Sequence, residues 1–306
     1  MKNSIVVIGS LNMDLVVQAE RHPKIGETIT GESFHTFPGG KGANQAVACS
    51  RLGGRVSMIG RVGKDPFGET LIHGGKSDGV NMSCVQIDTT APTGVALITV
   101  DATGRNTIVV IPGTNGNVCP EDVDKFETVI QQSSVMLLQL ECPLPAVLKA
   151  AQMGKYHDVK VILNPAPALD IPRDCYNSID FLIPNQTELA ALSGSSDLSA
   201  AIDHLHDLGA KNVVVTLGEE GVLVSESKKK TRIQAHTIQP VDTTAAGDAF
   251  IGAFAVAISE GKSTFEAAAW GNAAGALAAT RSGAQPSLPR LDELQQFIKE
   301  HANLGL

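Results

Sequence analysis

Short, continuous apolar runs recur along the chain and alternate with segments of helical periodicity. Such runs are typical of strands buried on both faces of a sheet, and they predict strands at Ile5–Ile8, Val56–Val62, Val135–Gln139, Val159–Leu163, Phe181–Ile183 and Val213–Leu217. Helices are predicted at Gly42–Leu52, Pro120–Gln132, Pro143–Gly154, Glu188–Leu192 and Ser199–Leu208, then from Ala246 through Arg281 and at Leu291–His301. This alternation indicates an α/β fold with a doubly wound, mostly parallel sheet flanked by helices.

Two stretches interrupt the alternation. Val16 to Phe37 has no helical period and contains short β-like pieces such as Glu27–Thr30. Thr93–Val100 and Asn106–Ile111 flank a turn sequence that is typical of a hairpin. Strands without crossover helices do not fit a parallel sheet. We therefore predict a small β-sheet lid, built discontinuously from about residues 12–38 and 92–112, on a single domain that spans residues 1–306.

Composition and charge narrow the function. The chain has 306 residues, of which 43% are hydrophobic and 18% charged, so a large buried core is expected. Its formal charge of −8 disfavours nucleic-acid binding, and the basic run from Lys228 to Arg232 is predicted to be a solvated hairpin end. Five scattered cysteines without a C-x-x-C pair suit a reducing compartment. The longest apolar run, Ala249 to Ile258, is too short for a membrane span, so we expect a cytoplasmic protein without membrane contact.

The segment Phe37-Pro-Gly-Gly-Lys-Gly-Ala-Asn44 directly precedes a predicted helix. Its glycines allow backbone N–H groups to approach a ligand, and the Asn44 side chain offers both a donor and an acceptor. No Ser or Thr follows the Gly-Lys pair, so this is not a Walker A loop, and the first strand lacks the dinucleotide pattern G-x-G-x-x-G. Taken alone, the segment could equally be a tight turn with a helix cap.

A second segment, Asp242-Thr-Thr-Ala-Ala-Gly-Asp248, leads into a strongly apolar helix. We predict that free N–H groups near Ala245, Ala246 and Gly247 form an anion hole at the positive end of the helix dipole. Such a site suits the charge that develops on a transferring phosphoryl group. Asp248 could then accept the proton of an attacking hydroxyl, for which a nearly normal pKa would suffice. The alternative is an acidic residue that simply favours a helix start.

Together, and in this order, the two segments resemble the signatures of the ribokinase family, the phosphofructokinase-B-type carbohydrate kinases. The resemblance extends from Gly9-Ser-Leu-Asn-Met-Asp14 to Gly283-Ala-Gln-Pro-Ser287. It implies a ribokinase-like fold and the ATP-dependent phosphorylation of D-ribose at its 5-hydroxyl, giving D-ribose 5-phosphate and ADP. Kinases for deoxyribose, another sugar or a nucleoside remain alternatives, as does a non-catalytic module that binds sugar or nucleotide.

The resemblance also implies site residues. Sugar binding falls to Asn12, Asp14, Gly40, Lys41, Gly42, Asn44, Glu141 and Asp248, and nucleotide binding to Asn185, Thr216, Gly218, Glu219, Glu220, Gly221, Gly247 and Asn272. Glu188 would hold Mg²⁺ through the water shell of the ion, and a K⁺ site would involve Asp242, Thr244, Ala278, Arg281, Gly283 and Ser287. A homodimer through the lid is expected as well. Without the family, Asn185 and Glu188 could equally be a helix cap, and Asp14 and Glu141 solvated strand ends.

Overall fold

The computed structural model describes residues 4–301, and within that range it contains thirteen strands and eleven α-helices. The strands are β1 (Ser4–Ile8), β2 (Asn12–Gln18), β3 (Ser33–Gly39), β4 (Arg55–Gly63), β5 (Asn81–Asp88), β6 (Gly94–Val100), β7 (Asn106–Ile111), β8 (Val135–Leu138), β9 (Lys160–Leu163), β10 (Phe181–Leu182), β11 (Asn212–Thr216), β12 (Val222–Glu226) and β13 (Lys229–Ile233). The helices are α1 (Lys41–Arg51), α2 (Pro66–Ser77), α3 (Pro120–Lys125), α4 (Glu127–Gln131), α5 (Leu144–Tyr156), α6 (Arg173–Tyr176), α7 (Gln186–Ser193), α8 (Leu198–Leu208), α9 (Ala246–Ser259), α10 (Thr264–Ala279) and α11 (Leu291–His301).

Nine of these strands form the main sheet, in the order β13-β12-β11-β10-β9-β8-β1-β4-β5. The seven strands from β11 to β5 run parallel, whereas β12 and β13 form an antiparallel hairpin at one edge. The chain leaves β1 towards β4 on one side and reaches β8 on the other. Strand order therefore reverses beside β1, which is where open α/β sheets bind ligands. The predicted fold class, with a mostly parallel sheet and a separate small sheet, is confirmed.

Two hydrophobic cores cover the two faces of the main sheet, because alternate residues of each strand point to opposite faces. Ile5 and Val7 of β1 join the core that α1, α9 and α10 complete, and Val6 and Ile8 join the core beneath α5 and α8. The central strands are buried on both faces, which explains why they read as continuous apolar runs.

The remaining strands form a four-stranded sheet in the order β3-β2-β6-β7. Strand β2 pairs antiparallel with β3 and parallel with β6, and β6 and β7 form the predicted hairpin. Strand β2 begins at Asn12, four residues after β1 ends at Ile8, so this sheet starts at the carboxyl edge of the main sheet. Its role as a lid and the single-domain organisation stay predictions.

Three sequence-based element predictions need correction. Glu27–Thr30 is not a strand, because the Glu27 carboxylate binds the Arg21 guanidinium and the Lys24 N–H and so stabilises a turn. The predicted helix 120–132 is two short helices that meet at Phe126. The predicted helix 246–281 is also two helices, because Gly261 adopts a φ of 85° and Ser263 caps α10.

The basic run lies where the sequence predicts it. Ser227 and Lys228 have positive φ and form the turn between β12 and β13. The Lys228 ammonium pairs with Asp207 at 2.8 Å and is largely exposed.

Within residues 4–301, no helix is long and apolar enough to cross a membrane.

Candidate active site

A cleft of about 230 Å³ opens where the first turns of three helices face the end of β11. Its lining residues come from separate parts of the sequence: Lys41, Asn164, Ala166, Ile183, Asn185, Glu188, Thr216, Thr243, Ala245, Gly247, Asp248 and Ile251. Seven of these twelve were predicted from the sequence as site residues. Because helix N-termini carry partial positive charge, such a cleft suits an anionic ligand.

The Asp248 carboxylate lies buried in the first turn of α9 and is held by two side-chain amides of α1. Asn44 Nδ2 donates to its Oδ2 at 2.9 Å, and Gln45 Nε2 donates to its Oδ1 at 3.0 Å. Each carboxylate oxygen therefore has one fixed donor and keeps a lone pair for a ligand. This arrangement fixes the rotamer of the group that the sequence predicts to be the base.

The amide network continues away from Asp248. Gln139 Nε2 donates to Gln45 Oε1 at 2.6 Å, and Gln45 Nε2 also lies 3.2 Å from Asn164 Oδ1. Gln45 is fully buried and Gln139 nearly so. Gln45, Gln139 and Asn164 were not predicted to belong to the site, because a single amide residue in a helix or just after a strand produces no recognisable pattern.

Four carboxylates and one ammonium group shape the electrostatics. Burial raises the pKa of Asp248, and the negative charge of Glu141 adds to that rise, while Lys41 and the amides of Gln45 and Asn44 oppose it. Burial and the charges of Glu141 and Asp248 raise the pKa of Asp14 to about 7. The pKa of Asp248 is thus higher than the nearly normal value that would suffice for a base.

The charge of Asp248 also shifts the pKa values of Lys41 and Glu188. Burial alone would lower the pKa of Lys41, but the negative charges of Asp248, Glu141 and Glu188 outweigh it and raise this pKa. Burial raises the pKa of Glu188, and Asp248 adds to this, whereas the Asn185 N–H and Lys41 act against it. Lys41 is therefore a stable cation among carboxylates.

The first turn of α9 presents free backbone N–H groups. Ala245 precedes the helix with a left-handed φ of 60°, which turns the chain sharply into α9. Among residues 4–301 the N–H groups of Ala245, Gly247 and Asp248 have no acceptor. The Ala246 N–H was predicted to be free as well, and this is wrong, because it donates to the Thr243 carbonyl at 3.1 Å. The turn Thr243–Ala246 therefore uses the Ala246 N–H for its own hydrogen bond.

Glycines at the start of α1 allow the helix to sit against the β1–β2 connection. A Cβ on Gly40 would lie 2.7 Å from the Asn12 nitrogen, and one on Gly42 would lie 2.6 Å from the Ser10 nitrogen. Glu141 Oε2 accepts from Ser10 Oγ at 2.5 Å and from the Lys41 N–H at 3.0 Å. These contacts bring Asn12, Gly40, Lys41, Gly42 and Glu141 together at the β1–β2 connection, and Glu141 is a bonded side chain rather than a solvated strand end.

Asn185 and Glu188 form the capping box that the sequence left open as an alternative. Asn185 Oδ1 accepts from the Glu188 N–H at 2.8 Å, and Glu188 Oε2 accepts from the Asn185 N–H at 2.9 Å. Both residues nevertheless line the cleft. Capping and ligand contact are compatible, since capping fixes the Glu188 carboxylate at the cleft wall.

Within residues 4–301, no three His, Cys, Asp or Glu side chains form a metal-binding group.

The predicted nucleotide loop follows β11, and Thr216 at its start lines the cleft. Gly218, Glu219 and Glu220 form a 3₁₀ turn, in which Glu219 is exposed and Glu220 pairs with Arg232. A Cβ on Gly221 would lie 2.1 Å from the Ile233 carbonyl oxygen, so this glycine is needed for packing in the hairpin.

Asn272 on α10 is buried, and its Nδ2 donates to the Gln234 carbonyl at 2.7 Å. This bond fixes the segment that follows β13. Contact of Asn272 with a base stays a prediction.

The two loops predicted to hold a monovalent cation lie side by side. Asp242 Oδ1 accepts from the Thr244 N–H and its Oδ2 from the Gly283 N–H, both at 2.9 Å. Other residues of the predicted cation site bond within the same region. The Arg281 N–H donates to the Ala278 carbonyl, and the Arg281 guanidinium pairs with Glu293. Ser287 Oγ donates to the Ala284 carbonyl. The two bonds to Asp242 hold the two loops together, and binding of K⁺ between them stays a prediction.

Comparison with known proteins identifies close relatives. The pfkB family carbohydrate kinase profile matches residues 2–291. A ribokinase of Haemophilus influenzae is 40% identical over 99% of this chain and 100% of its own length, and a deoxyribokinase of Salmonella typhi is 37% identical over 96% and 98%. The structure of Arabidopsis thaliana ribokinase complexed with ribose and ATP superposes with a TM-score of 0.92 at 35% identity, covering 98% of this chain and 99% of that one.

Proposed function

This chain belongs to the pfkB family of carbohydrate kinases, and we propose that it transfers the γ-phosphoryl group of ATP to the 5-hydroxyl of D-ribose. The observation that carries the proposal is the cleft itself. There a buried carboxylate, Asp248, lies in the first turn of α9, beside the free N–H groups of that turn and the cationic Lys41. Ribose and ATP are the ligands of a relative with the same fold.

The reaction follows from these groups. The 5-hydroxyl oxygen of the sugar attacks the γ-phosphorus, and its proton passes to a carboxylate oxygen of Asp248. The bond between the γ-phosphorus and the β,γ-bridging oxygen breaks, so that ribose 5-phosphate and ADP form, and Asp248 then releases the proton to solvent. The free N–H groups of Ala245 and Gly247 stabilise negative charge on the transferring group.

Asp248 must be ionised to accept this proton. Asn44, Gln45 and Lys41 stabilise its carboxylate form against the effect of burial. Turnover should therefore decline as the pH falls through the pKa of Asp248, which lies above the ordinary carboxylate range.

The acidic wall of the cleft suits a divalent cation bound with ATP. Glu188, whose carboxylate the capping box holds at the wall, would hold Mg²⁺ through its water shell. When bound, that ion supplies positive charge that offsets the charge of the phosphates. Asn185 and Thr216 line the same cleft as Glu188 and would contact the nucleotide.

K⁺ would bind between the loops that carry Asp242 and Gly283 and would stabilise the turn leading into α9. We expect turnover to increase when K⁺ is added to enzyme in buffers free of monovalent metal ions. Equal turnover in tetramethylammonium, sodium and potassium buffers, measured by coupled ADP release, would contradict this role. The exposed pair Lys228–Asp207 lies outside these loops, so the variant Lys228→Ala should keep the wild-type potassium response.

2-Deoxyribose is the second candidate substrate, because a deoxyribokinase is 37% identical to this chain. Asn12 supports ribose, since its buried amide offers a polar contact that a missing hydroxyl would leave without a partner. A kinetic panel of ribose, 2-deoxyribose, fructose and adenosine decides between them. The proposal predicts the highest kcat/KM for ribose, and a higher value for any other acceptor would contradict it.

We also propose a homodimer through the four-stranded sheet. Phe34, Leu97 and Val109 share the sheet face opposite Asp14 and are 60%, 44% and 61% exposed. All six residues of β7 are exposed. A contiguous exposed apolar face and an uncovered edge strand are features that self-association would protect.

A further inference from the structure

Asn115 lies beneath the β1–β2 connection in the 3₁₀ turn Gly113–Asn117 and is 1% exposed. Its Oδ1 accepts from the Leu11 N–H at 2.9 Å. Its Nδ2 donates to the Leu11 carbonyl at 3.1 Å and to Asn12 Oδ1 at 2.7 Å. One buried amide therefore holds both the backbone of Leu11 and the side chain of Asn12.

These bonds determine which way each amide points. A side-chain amide could in principle present either its oxygen or its nitrogen, but a backbone N–H can only donate. The Leu11 N–H therefore requires the oxygen of Asn115 on its side, which places the nitrogen towards Asn12. Asn12 must in turn offer its oxygen to Asn115. The Asn12 Nδ2 is then left, and it donates to no atom within residues 4–301.

Packing holds this pair in place. A Cβ on Gly94, at the start of β6, would lie 2.3 Å from Asn12 Oδ1 and 2.4 Å from Asn115 Nδ2. A residue other than glycine there would separate the two amides. Asn12 itself is only 4% exposed, so it has little room to rotate.

We propose that Asn115 is a positioning residue that fixes Asn12 as a hydrogen-bond donor to the sugar. This inference rests on the proposed function. A sugar hydroxyl that accepts from Asn12 can give its own proton to a carboxylate, and Asp14, Glu141 and Asp248 supply carboxylates nearby. The pocket therefore combines a fixed amide donor with acceptors, and an analogue without that hydroxyl leaves the donor unpaired.

The first test replaces the donor of Asn115. Asn115→Asp keeps an acceptor for the Leu11 N–H and, in its ionised form, has no proton to donate to Asn12. We expect KM for ribose to rise about tenfold or more, as for a lost buried hydrogen bond, while kcat and KM for ATP change less than about threefold. In an Asn12→Ala background the same substitution should have little further effect, because Asn115 acts through Asn12.

Two controls separate this role from damage to the turn. Asn117→Asp makes the same change in the same turn, but Asn117 contacts Asp88 and not Asn12. Thr114→Val removes a hydrogen bond from Thr114 to the Arg61 carbonyl within the same buried turn. Both controls should keep the wild-type KM for ribose. An Asn115→Asp effect equal in the wild-type and Asn12→Ala backgrounds, or an unchanged KM for ribose, overturns the proposal.

The second test changes Asn12 itself. It tests whether Asn12 donates to the sugar even if Asn115→Asp does not fold. Asn12→Asp still accepts from Asn115 but turns an acceptor towards the sugar. By calorimetry, it should bind ribose no better than Asn12→Ala does. Ribose affinity within about threefold of wild type overturns the proposal. If the wild-type protein neither binds nor phosphorylates ribose, the proposed function fails instead.

Discussion

At the residue scale, the site consists of a predicted part and a part that only the tertiary structure reveals. Asp248 and Asn44 belong to recognisable segments of small residues before a helix, so the sequence identifies them as a pair of interest. Gln45, Gln139 and Asn115 carry no such pattern, although they fix the carboxylate and the amide that would meet the substrate. Their importance follows from contacts between residues as much as 203 positions apart, which local sequence cannot show.

Asp14 gives a pH-dependent prediction at this scale. Its pKa rises from 3.8 to about 7 in the folded chain, so the folded state binds this proton more tightly than the unfolded state. The free energy of unfolding therefore falls as the pH rises from about 4 to about 7. Asp14→Asn removes the buried charge that destabilises the folded state at high pH. The substitution should raise Tm by roughly 2 °C or more near pH 8 but much less near pH 4.5.

Calorimetric unfolding of both proteins at the two pH values measures this difference. Asp170→Asn, at an exposed carboxylate, is the matched control and should leave Tm unchanged at both. A lower Tm for Asp14→Asn near pH 8 would contradict the account. The same variant should lose ribose affinity, because the removed carboxylate is a proposed sugar ligand.

At the element scale, the close contact of α1 with α9 sets the position of Asp248 relative to Asn44. A Cβ on Gly252 would lie 2.4 Å from the Ala48 Cβ, so this glycine allows the two helices to approach. Gly252→Ala should push the helices apart, destabilise the fold by about 1–3 kcal/mol, and lower kcat by stretching the bonds to Asp248.

Gly74→Ala is the matched control for this substitution. Gly74 is also helical, but a Cβ added there would meet no atom within 4 Å. Its replacement should leave kcat unchanged and keep or increase stability, since alanine favours helix. Denaturant unfolding and kcat are measured on the wild type, Gly252→Ala and Gly74→Ala. Equal stability and equal kcat of the two variants would contradict the role of Gly252 in helix contact.

Element predictions succeeded where burial produces a strong pattern. Strands such as β1 and β11 are buried on both faces and read as apolar runs. Predictions failed at helix breaks. Phe126 carries no local signal for a helix end, and Gly261 with the Ser263 cap interrupts a long segment of helical pattern. At Glu27–Thr30 the β-like pattern was misleading, because Glu27 bonds Arg21 and the Lys24 N–H in a turn.

At the scale of the whole molecule, the four-stranded sheet carries the prediction about assembly. Val109→Lys places a charge in the exposed apolar face, and we expect it to convert the dimer to monomer in light scattering at micromolar concentration. Tyr156→Lys, at a residue that is 80% exposed on α5, is the control and should leave the dimer intact. A wild-type protein that is monomeric under these conditions would contradict the assembly.

The central claim is that this chain phosphorylates ribose with Asp248 as the base, and one comparison tests it most directly. Wild-type protein and Asp248→Asn are incubated with ATP, Mg²⁺, K⁺ and ribose, and the products are identified by phosphorus NMR, while calorimetry measures ribose binding. We predict ribose 5-phosphate and ADP from the wild type, and a kcat lower by about 10²–10⁴-fold in the variant with ribose affinity largely kept. Near-wild-type turnover by Asp248→Asn, or no ribose 5-phosphate from the wild type, would contradict the account.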